Sequence, residues 1–304
     1  MKDTNPQTQS FGKWLELISE SQEISFTEKE FKEFLDFSEK KLQDAYSRMN
    51  MPEQKWTRGT SNEVDYILEM GNVNPESKIL DIGCGQGRHS LELSKRGFKK
   101  VTSIDFSESN ISKAQNNSIN NGYPATFLCA DARKYKTGIK SDLILCVYDV
   151  IGSFRDNKDN KSIIRTIKTN LKKGGRAIIS VMNMELTQSI AVNHESLKSN
   201  PKSLLKLPPS NTMEASGNVF NPEYFLINSD DGLVYRKEQF SEGGEVFAEY
   251  VIADKRYTLV EIIQILTDEG FKIIDSRYVQ AGHWDVSHSA TDSKAKEILL
   301  TVEL

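Results

Sequence analysis

The stretch Ile79-Leu80-Asp81-Ile82-Gly83-Cys84-Gly85-Gln86-Gly87-Arg88-His89 constrains this chain more than any other. An apolar run over 78–82 has the length and content of a short buried strand. It breaks into three glycines at alternate positions. From Arg88 the spacing turns helical, with Leu91 and Leu93 before Gly97 stops it. Strand, glycine turn and helix start together let backbone come close to a ligand. Glycine has no Cβ to clash and accepts positive φ, and the helix start offers free N–H groups at its positive end. A dinucleotide fingerprint spaces its glycines as G-x-G-x-x-G. Here the third, Gly87, comes one residue early, and an acid, Asp81, lies inside the strand.

Alternating units follow. A helix is predicted over about 88–96, a second strand over Val101–Ile104 ending in Asp105, and a helix over Ser107–Asn120. A third strand over Thr126–Cys129 ends at Asp131, and a fourth over Asp142–Val147 ends at Tyr148-Asp149. A helix with Ile163, Ile164, Ile167 and Leu171 inward leads to a fifth strand over Arg176–Val181. Continuous apolar strands alternating with helices predict a parallel sheet covered on both faces. Right-handed crossovers then place every strand's C-terminal end on one rim, where ligands bind.

The chemistry collects on that rim: the glycine turn, Asp105, Asp131 and Tyr148-Asp149 all follow strand ends. The gap from Gly87 to Asp105 is close to the ~20-residue spacing of a ribose-binding acid. A carboxylate there accepts hydrogen bonds from two hydroxyls. Phe106 is placed to cover one face of a base, and Asp131 to accept from an amino group with the Ala132 N–H beside it as donor. Acids at strand ends also serve as turn and cap residues, so each alone carries little; their order along one rim carries the reading.

In that order, Ile79–Gly87, Ile104-Asp105-Phe106-Ser107, Cys129-Ala130-Asp131-Ala132, Asp142–Asp149 and Leu171-Lys172-Lys173-Gly174-Gly175 resemble the motifs of class I S-adenosylmethionine-dependent methyltransferases, of small-molecule type. The resemblance spans roughly 56–182 and resumes at the C-terminus. It implies an α/β, Rossmann-like fold: a seven-stranded sheet ordered 3-2-1-4-5-7-6, strand 7 antiparallel, with helices on both faces. It also implies S-adenosylmethionine as cofactor and S-adenosylhomocysteine as product. Gly83, Gly85 and Gly87 would border the methionine part, Asp105 the ribose and Asp131 the adenine, with Phe106 and Ala132 beside it; Asp81, Cys84 and Tyr148 are further candidate cofactor-binding residues. In families with this layout the segment Trp56-Thr57-Arg58-Gly59-Thr60 meets the methionine end. Arg58 would pair with its carboxylate, for which a planar fork of donors is suited; a surface arginine is the alternative.

The flanks complete the plan. Residues 1–55 are expected to form a helical extension or lid: Thr27-Glu28-Lys29-Glu30 is a capping-box pattern, and Phe31, Phe34, Leu35, Leu42, Ala45, Tyr46 and Met49 recur at helical steps. Thr60-Ser61-Asn62-Glu63 reads as a second capping box, opening a helix that Gly71 ends. The core is expected over 56–182 and 253–304. Residues 183–252 are an insert: a polar loop with one helix near 195–198, then a three-stranded meander over Glu223–Ile227, Leu233–Phe240 and Val246–Ile252. Its aromatic residues Tyr224, Phe225, Tyr235, Phe240, Phe247 and Tyr250 either face an organic acceptor or pack the meander down. A helix capped by Thr258 and Glu261, a sixth strand over Phe271–Tyr278 and a seventh over Ala295–Val302 close the chain.

A net charge of −4 over 304 residues argues against a strongly basic nucleic-acid surface. The site after strand 4, Tyr148-Asp149-Val150-Ile151, lacks the paired prolines of DNA amino-methyltransferases, so no DNA partner is expected. No run approaches a transmembrane length, no signal peptide opens the chain, and three cysteines without metal spacing suggest reduced thiols, hence a cytoplasmic protein. No metal is expected. The expected function is methyl transfer to oxygen or nitrogen of a small molecule. A protein or RNA methyltransferase docking through the N-terminal helices, or a binding module without turnover, are alternatives. A sulfonium donor is already activated, so positioning dominates. Tyr148, Asp149 and His283, with Asp285 near it, are the candidate bases. Acceptor and oligomeric state are not legible.

Overall fold

The computed structural model describes residues 35–48, 57–190, 204–206, 220–228, 232–242 and 245–304. The capping box at 27–30, Phe31, Phe34, Met49, Trp56 and the helix expected near 195–198 lie outside the described residues.

The glycine turn sits where the sequence puts it, between β1 (Lys78–Ile82) and α3 (Arg88–Lys95). Before them come α1 (Lys40–Ser47) and α2 (Thr60–Gly71). After them run β2 (Lys100–Asp105), α4 (Glu108–Asn120), β3 (Thr126–Cys129), β4 (Ser141–Cys146), α5 (Asn157–Asn170) and β5 (Leu171–Met182). Then come α6 (Met184–Ile190), β6 (Leu204–Lys206), β7 (Phe220–Asn228), β8 (Leu233–Glu242) and β9 (Glu245–Lys255). The chain finishes with α7 (Leu259–Asp268), β10 (Lys272–Gln280), β11 (His283–His288) and β12 (Glu297–Glu303). Among the described residues no helix is long and apolar enough to cross a membrane.

One mixed sheet is ordered β11-β10-β12-β5-β4-β1-β2-β3. Without β11 this is the order 3-2-1-4-5-7-6 that the resemblance implies, with β12 antiparallel to β5. The eighth strand, β11, pairs with β10 and extends the edge. His283, expected in a loop, therefore opens a strand. Side chains alternate across the sheet: Leu80, Ile82, Ile144 and Ile179 join Ile163, Ile167 and Leu266 on one face. On the other, Ile79, Leu143 and Leu145 join Val64, Ile67 and Leu93. Each such Leu or Ile withdrawn from water contributes about 1.5–3 kcal/mol before the opposing chain entropy.

Thr258 caps α7 as expected, its hydroxyl accepting from Glu261 N at 3.1 Å. At α2 the capping box is corrected. Gly59 holds the N-cap position without a side-chain cap, and Glu63 turns inward instead, fully buried. Its pull toward the core, described below, outweighs a bond to its own helix start.

The insert departs from expectation twice. The start of the loop is the helix α6, and the meander has four strands, ordered β6-β7-β8-β9. Leu35, expected on a helix, makes a β-bridge to Ile252. Leu35, Leu42 and Ala45 bury against Phe240 and Ile252, with Tyr46, Phe247 and Tyr250 around them. Three of the meander's aromatic residues thus pack against α1. The same N-terminal stretch is bonded on two sides: Phe37 N donates to Ser153 O in the loop after β4, and Ala253 N of β9 donates to Leu35 O at 2.8 Å.

Candidate functional site

The backbone of the glycine turn is fixed by the neighbouring strand. Gly83 N and Cys84 N both donate to Ile104 O, at 2.8 and 2.9 Å. Asp105 reaches across from the end of β2: one carboxylate oxygen accepts from Gly85 N at 2.9 Å, the other from Ser107 N at 2.9 Å. The predicted ribose acid and the predicted turn thus form one unit. Gly87 has φ +82° and a Cβ there would lie 2.6 Å from Phe127, so helix packing requires glycine. Gly85 has φ +54°, yet a Cβ would meet no atom of the described residues within 4 Å. Its side of the turn is open space edged by Asp105, a cradle of the kind a ligand fills.

Asp81 stays behind the turn. It is buried, accepts from Ser90 Oγ at 2.6 Å, and burial raises its pKa. It orients the first turn of α3 rather than meeting solvent. Burial likewise raises Asp105 and, strongly, the Cys84 thiol. Asp131 is gripped by Arg133, with bonds of 3.0 Å to one oxygen and 2.9 Å to the other. Burial would raise its pKa, but the guanidinium outweighs this and lowers it. Arg133 also binds Asp159. Phe106 is half-buried beside Cys129, whose thiol donates to its carbonyl at 3.4 Å, and Ala132 packs against the core.

Tyr148 and Asp149 leave β4 in left-handed backbone, φ 61° and 64°. Such strain in non-glycine residues, on the order of 1–3 kcal/mol each, is characteristic of functional sites. Tyr148 N is fixed by Ser180 Oγ at 2.8 Å. Val150 follows, so near the turn that a Gly83 Cβ would lie 2.3 Å from its Cγ2. The two base candidates thus border the turn from the β4 side, opposite Asp105. His283 is exposed at the sheet edge, and Arg58 is exposed in the turn before α2. Its neighbours are not: Gly59 packs directly on Gly282, and Thr60 Oγ1 accepts from Arg88 at 2.8 Å.

Glu63 is the residue that sequence reasoning missed. Its carboxylate accepts from Arg88, from His89 Nε2 at 2.8 Å, from the Tyr148 hydroxyl and from Gly282 N at 2.7 Å. Burial alone would push it up; the His89 hydrogen bond and the Arg88 charge hold it down at about 2. Burial and that same charge lower His89, so the neutral ring donates. Arg88 lies over the Tyr148 ring at 4.3 Å, and Trp284 stacks near His89 and Tyr148. One anion therefore ties α2, α3, the β4 loop and the β10–β11 turn together behind the site. Glu297 was missed too: an acid opening an otherwise apolar strand, it is buried at the rim opposite Met182.

A family model described as a methyltransferase domain matches residues 74–221. That span holds the glycine turn, Asp105, Asp131 and the β4 loop. Over those residues the chain is similar to that methyltransferase-domain family. It is 33% identical over 124 residues to a ubiquinone biosynthesis O-methyltransferase of Rickettsia prowazekii, covering 40% of this chain and 47% of that protein. This chain thus spans about half the length of that methyltransferase relative. A glycine/sarcosine N-methyltransferase of Halorhodospira halochloris is 24% identical over 225 residues, 73% of this chain and 75% of that protein. In fold, the chain is similar to an S-adenosylmethionine-dependent methyltransferase from Clostridium acetobutylicum. The TM-score is 0.59 at 19% identity, over 87% of this chain and 98% of that one.

Proposed function

We propose that this protein transfers a methyl group from S-adenosylmethionine to an oxygen or nitrogen of a small organic acceptor. The observation that carries the reading is the open cradle at Gly85, edged by Asp105 and backed by the Glu63 cluster. When bound, the cofactor supplies a methyl group on a sulfonium, already activated for in-line displacement. The chain's own work is to bind, orient and exclude water.

In this reading Gly83, Cys84, Gly85 and Gly87 give close backbone approach, with Asp81 fixing the helix behind them. Asp105 accepts from the ribose hydroxyls. Phe106, Asp131 and Ala132 border the adenine, and Arg58 swings in to the methionine carboxylate. Asp131 keeps lone pairs free beside Arg133, since a carboxylate has about four acceptor sites. Tyr148 is better read as a positioning residue, because its hydroxyl is committed to Glu63. Asp149 stays the base candidate, and exposed His283 is the weaker one. The names of the curated relatives, ubiquinone biosynthesis and glycine/sarcosine, support a small acceptor. Residues 1–55 and 183–252 form a cap on the acceptor side of a core over 56–182 and 253–304. The apolar face of α1 is occupied by Phe240 and Ile252, which favours a cap over a macromolecular docking surface. Free Cys84, Cys129 and Cys146 support a cytoplasmic location.

Calorimetric titration with S-adenosylmethionine and S-adenosylhomocysteine, followed by a methyl-release screen over hydroxylated and amino acceptors, tests the reading. Binding of both and turnover of a small acceptor is expected. A protein that binds neither compound would overturn it.

A further inference from the structure

The site as described leaves one buried acid without a task. Glu297 opens β12 opposite Met182, on the rim, and is 3% exposed. Among the described residues its Oε2 has no hydrogen-bond partner. Strand alternation puts it on the face of Leu299 and Trp284, whose indole Nε1 is likewise buried and unpartnered. An unsatisfied buried carboxyl is costly, and native proteins keep few of them.

The groups facing Glu297 come from every neighbouring element. Ser180 of β5 hydrogen-bonds to it, Asp149 of the β4 loop repels it, and Glu63 of α2 adds a second negative charge. Arg88 of α3 is the cation in reach, and Glu63 engages it already. Tyr148 is close enough for Glu297 to raise it. Lys296, next in the chain, lies beside Arg256 instead. Burial and then the Asp149 charge push Glu297 up to about 8, so it holds its proton at neutral pH. Asp149 adjoins Val150 and hence Gly83, and its charge is felt by Glu297 at the end of the neighbouring β5–β12 pair.

We propose that Glu297, paired with Asp149, recognises the sulfonium charge of the donor and gives up its proton when that cation binds. The inference rests on the cofactor reading above. The O–H bond of Glu297 breaks, the proton passes to bulk buffer, and the carboxylate left behind faces the incoming positive charge. No electron transfer and no other reactant is involved. S-adenosylhomocysteine lacks the sulfonium and cannot drive the same release.

The test is calorimetry of the full chain at pH 7.5 in two buffers of different ionisation enthalpy. S-adenosylmethionine and S-adenosylhomocysteine are titrated into the wild type, Glu297→Gln and Asp149→Asn, with circular dichroism as the fold control. Wild type is expected to release roughly half a proton or more per site with S-adenosylmethionine beyond that with S-adenosylhomocysteine. The excess is expected to fade above pH 9 and to be absent in Glu297→Gln. In Asp149→Asn it should fade at lower pH, because the charge that holds the proton on is gone. Equal release by the two compounds in wild type, or an undiminished excess in Glu297→Gln, overturns the inference while leaving the cofactor reading intact. Absence of heat with either compound overturns both.

Discussion

At the residue scale, Glu63 is a buried anion whose loss should be costly. Replacing it with Gln leaves Arg88 without its counter-charge behind the site, and removing one member of a buried pair costs about 3 kcal/mol or more. Urea denaturation of Glu63→Gln at pH 7 should show this loss. Its pH dependence has a definite sign. The folded carboxyl is depressed to about 2 from an ordinary 4.5. Its stabilisation is therefore complete above about pH 4.5 and is lost as pH falls through 2. The gap between wild type and Glu63→Gln should narrow over that acid window and stay constant from pH 5 to 7. Asp105 makes a different prediction. Its two backbone bonds hold the turn, and Asp105→Ala should weaken S-adenosylmethionine binding by about 1–3 kcal/mol in calorimetry. Unchanged affinity would remove its assigned role.

At the element scale, one turn holds two glycines with different reasons to be glycine. Gly87→Ala drives a methyl into Phe127 at positive φ, so thermal melting should show a loss of about 1–3 kcal/mol. A Cβ at Gly85 meets no described atom within 4 Å, so in Gly85→Val circular dichroism should change little beyond the backbone strain while cofactor binding is lost. The parallel strands were legible because each is an apolar run between turn signals. β11 was not: the sequence from His283 to His288 is mostly polar and exposed, as befits an edge strand, and carries no apolar period. The capping-box pattern at Thr60–Glu63 is the same whether the glutamate caps its helix or enters the core. What decides is Gly282, 219 residues away, and no local pattern records that. Glu297 did leave a trace, as the charged residue opening a strand whose next five residues are all buried.

At the scale of the whole molecule, two sheets are stitched at the rim. Lys255 N donates to Gly152 O at 2.8 Å, and Tyr257 N donates to Met182 O at 3.1 Å. β9 therefore runs from the four-stranded sheet directly onto the loop that carries Asp149. The N-terminal stretch closes the triangle through Phe37 and Leu35. Leu42→Ala empties the centre of this junction and should cost about 2–5 kcal/mol locally. Hydrogen exchange should then quicken at Phe37, Ala253 and Lys255 together, while amides of β1 and β4 keep their protection. Exchange quickening at Phe37 alone would show that the stitches are independent.

The contact between Gly59 and Gly282 has a consequence for how the protein is made. The hub at Glu63 needs a donor 219 residues further along, so a nascent polypeptide halted before Gly282 emerges from the ribosome has its sheet largely written but its back wall missing. On the proposed reading, a polypeptide cut before Gly282 leaves the donor cradle unbacked and should bind S-adenosylmethionine more weakly in calorimetry.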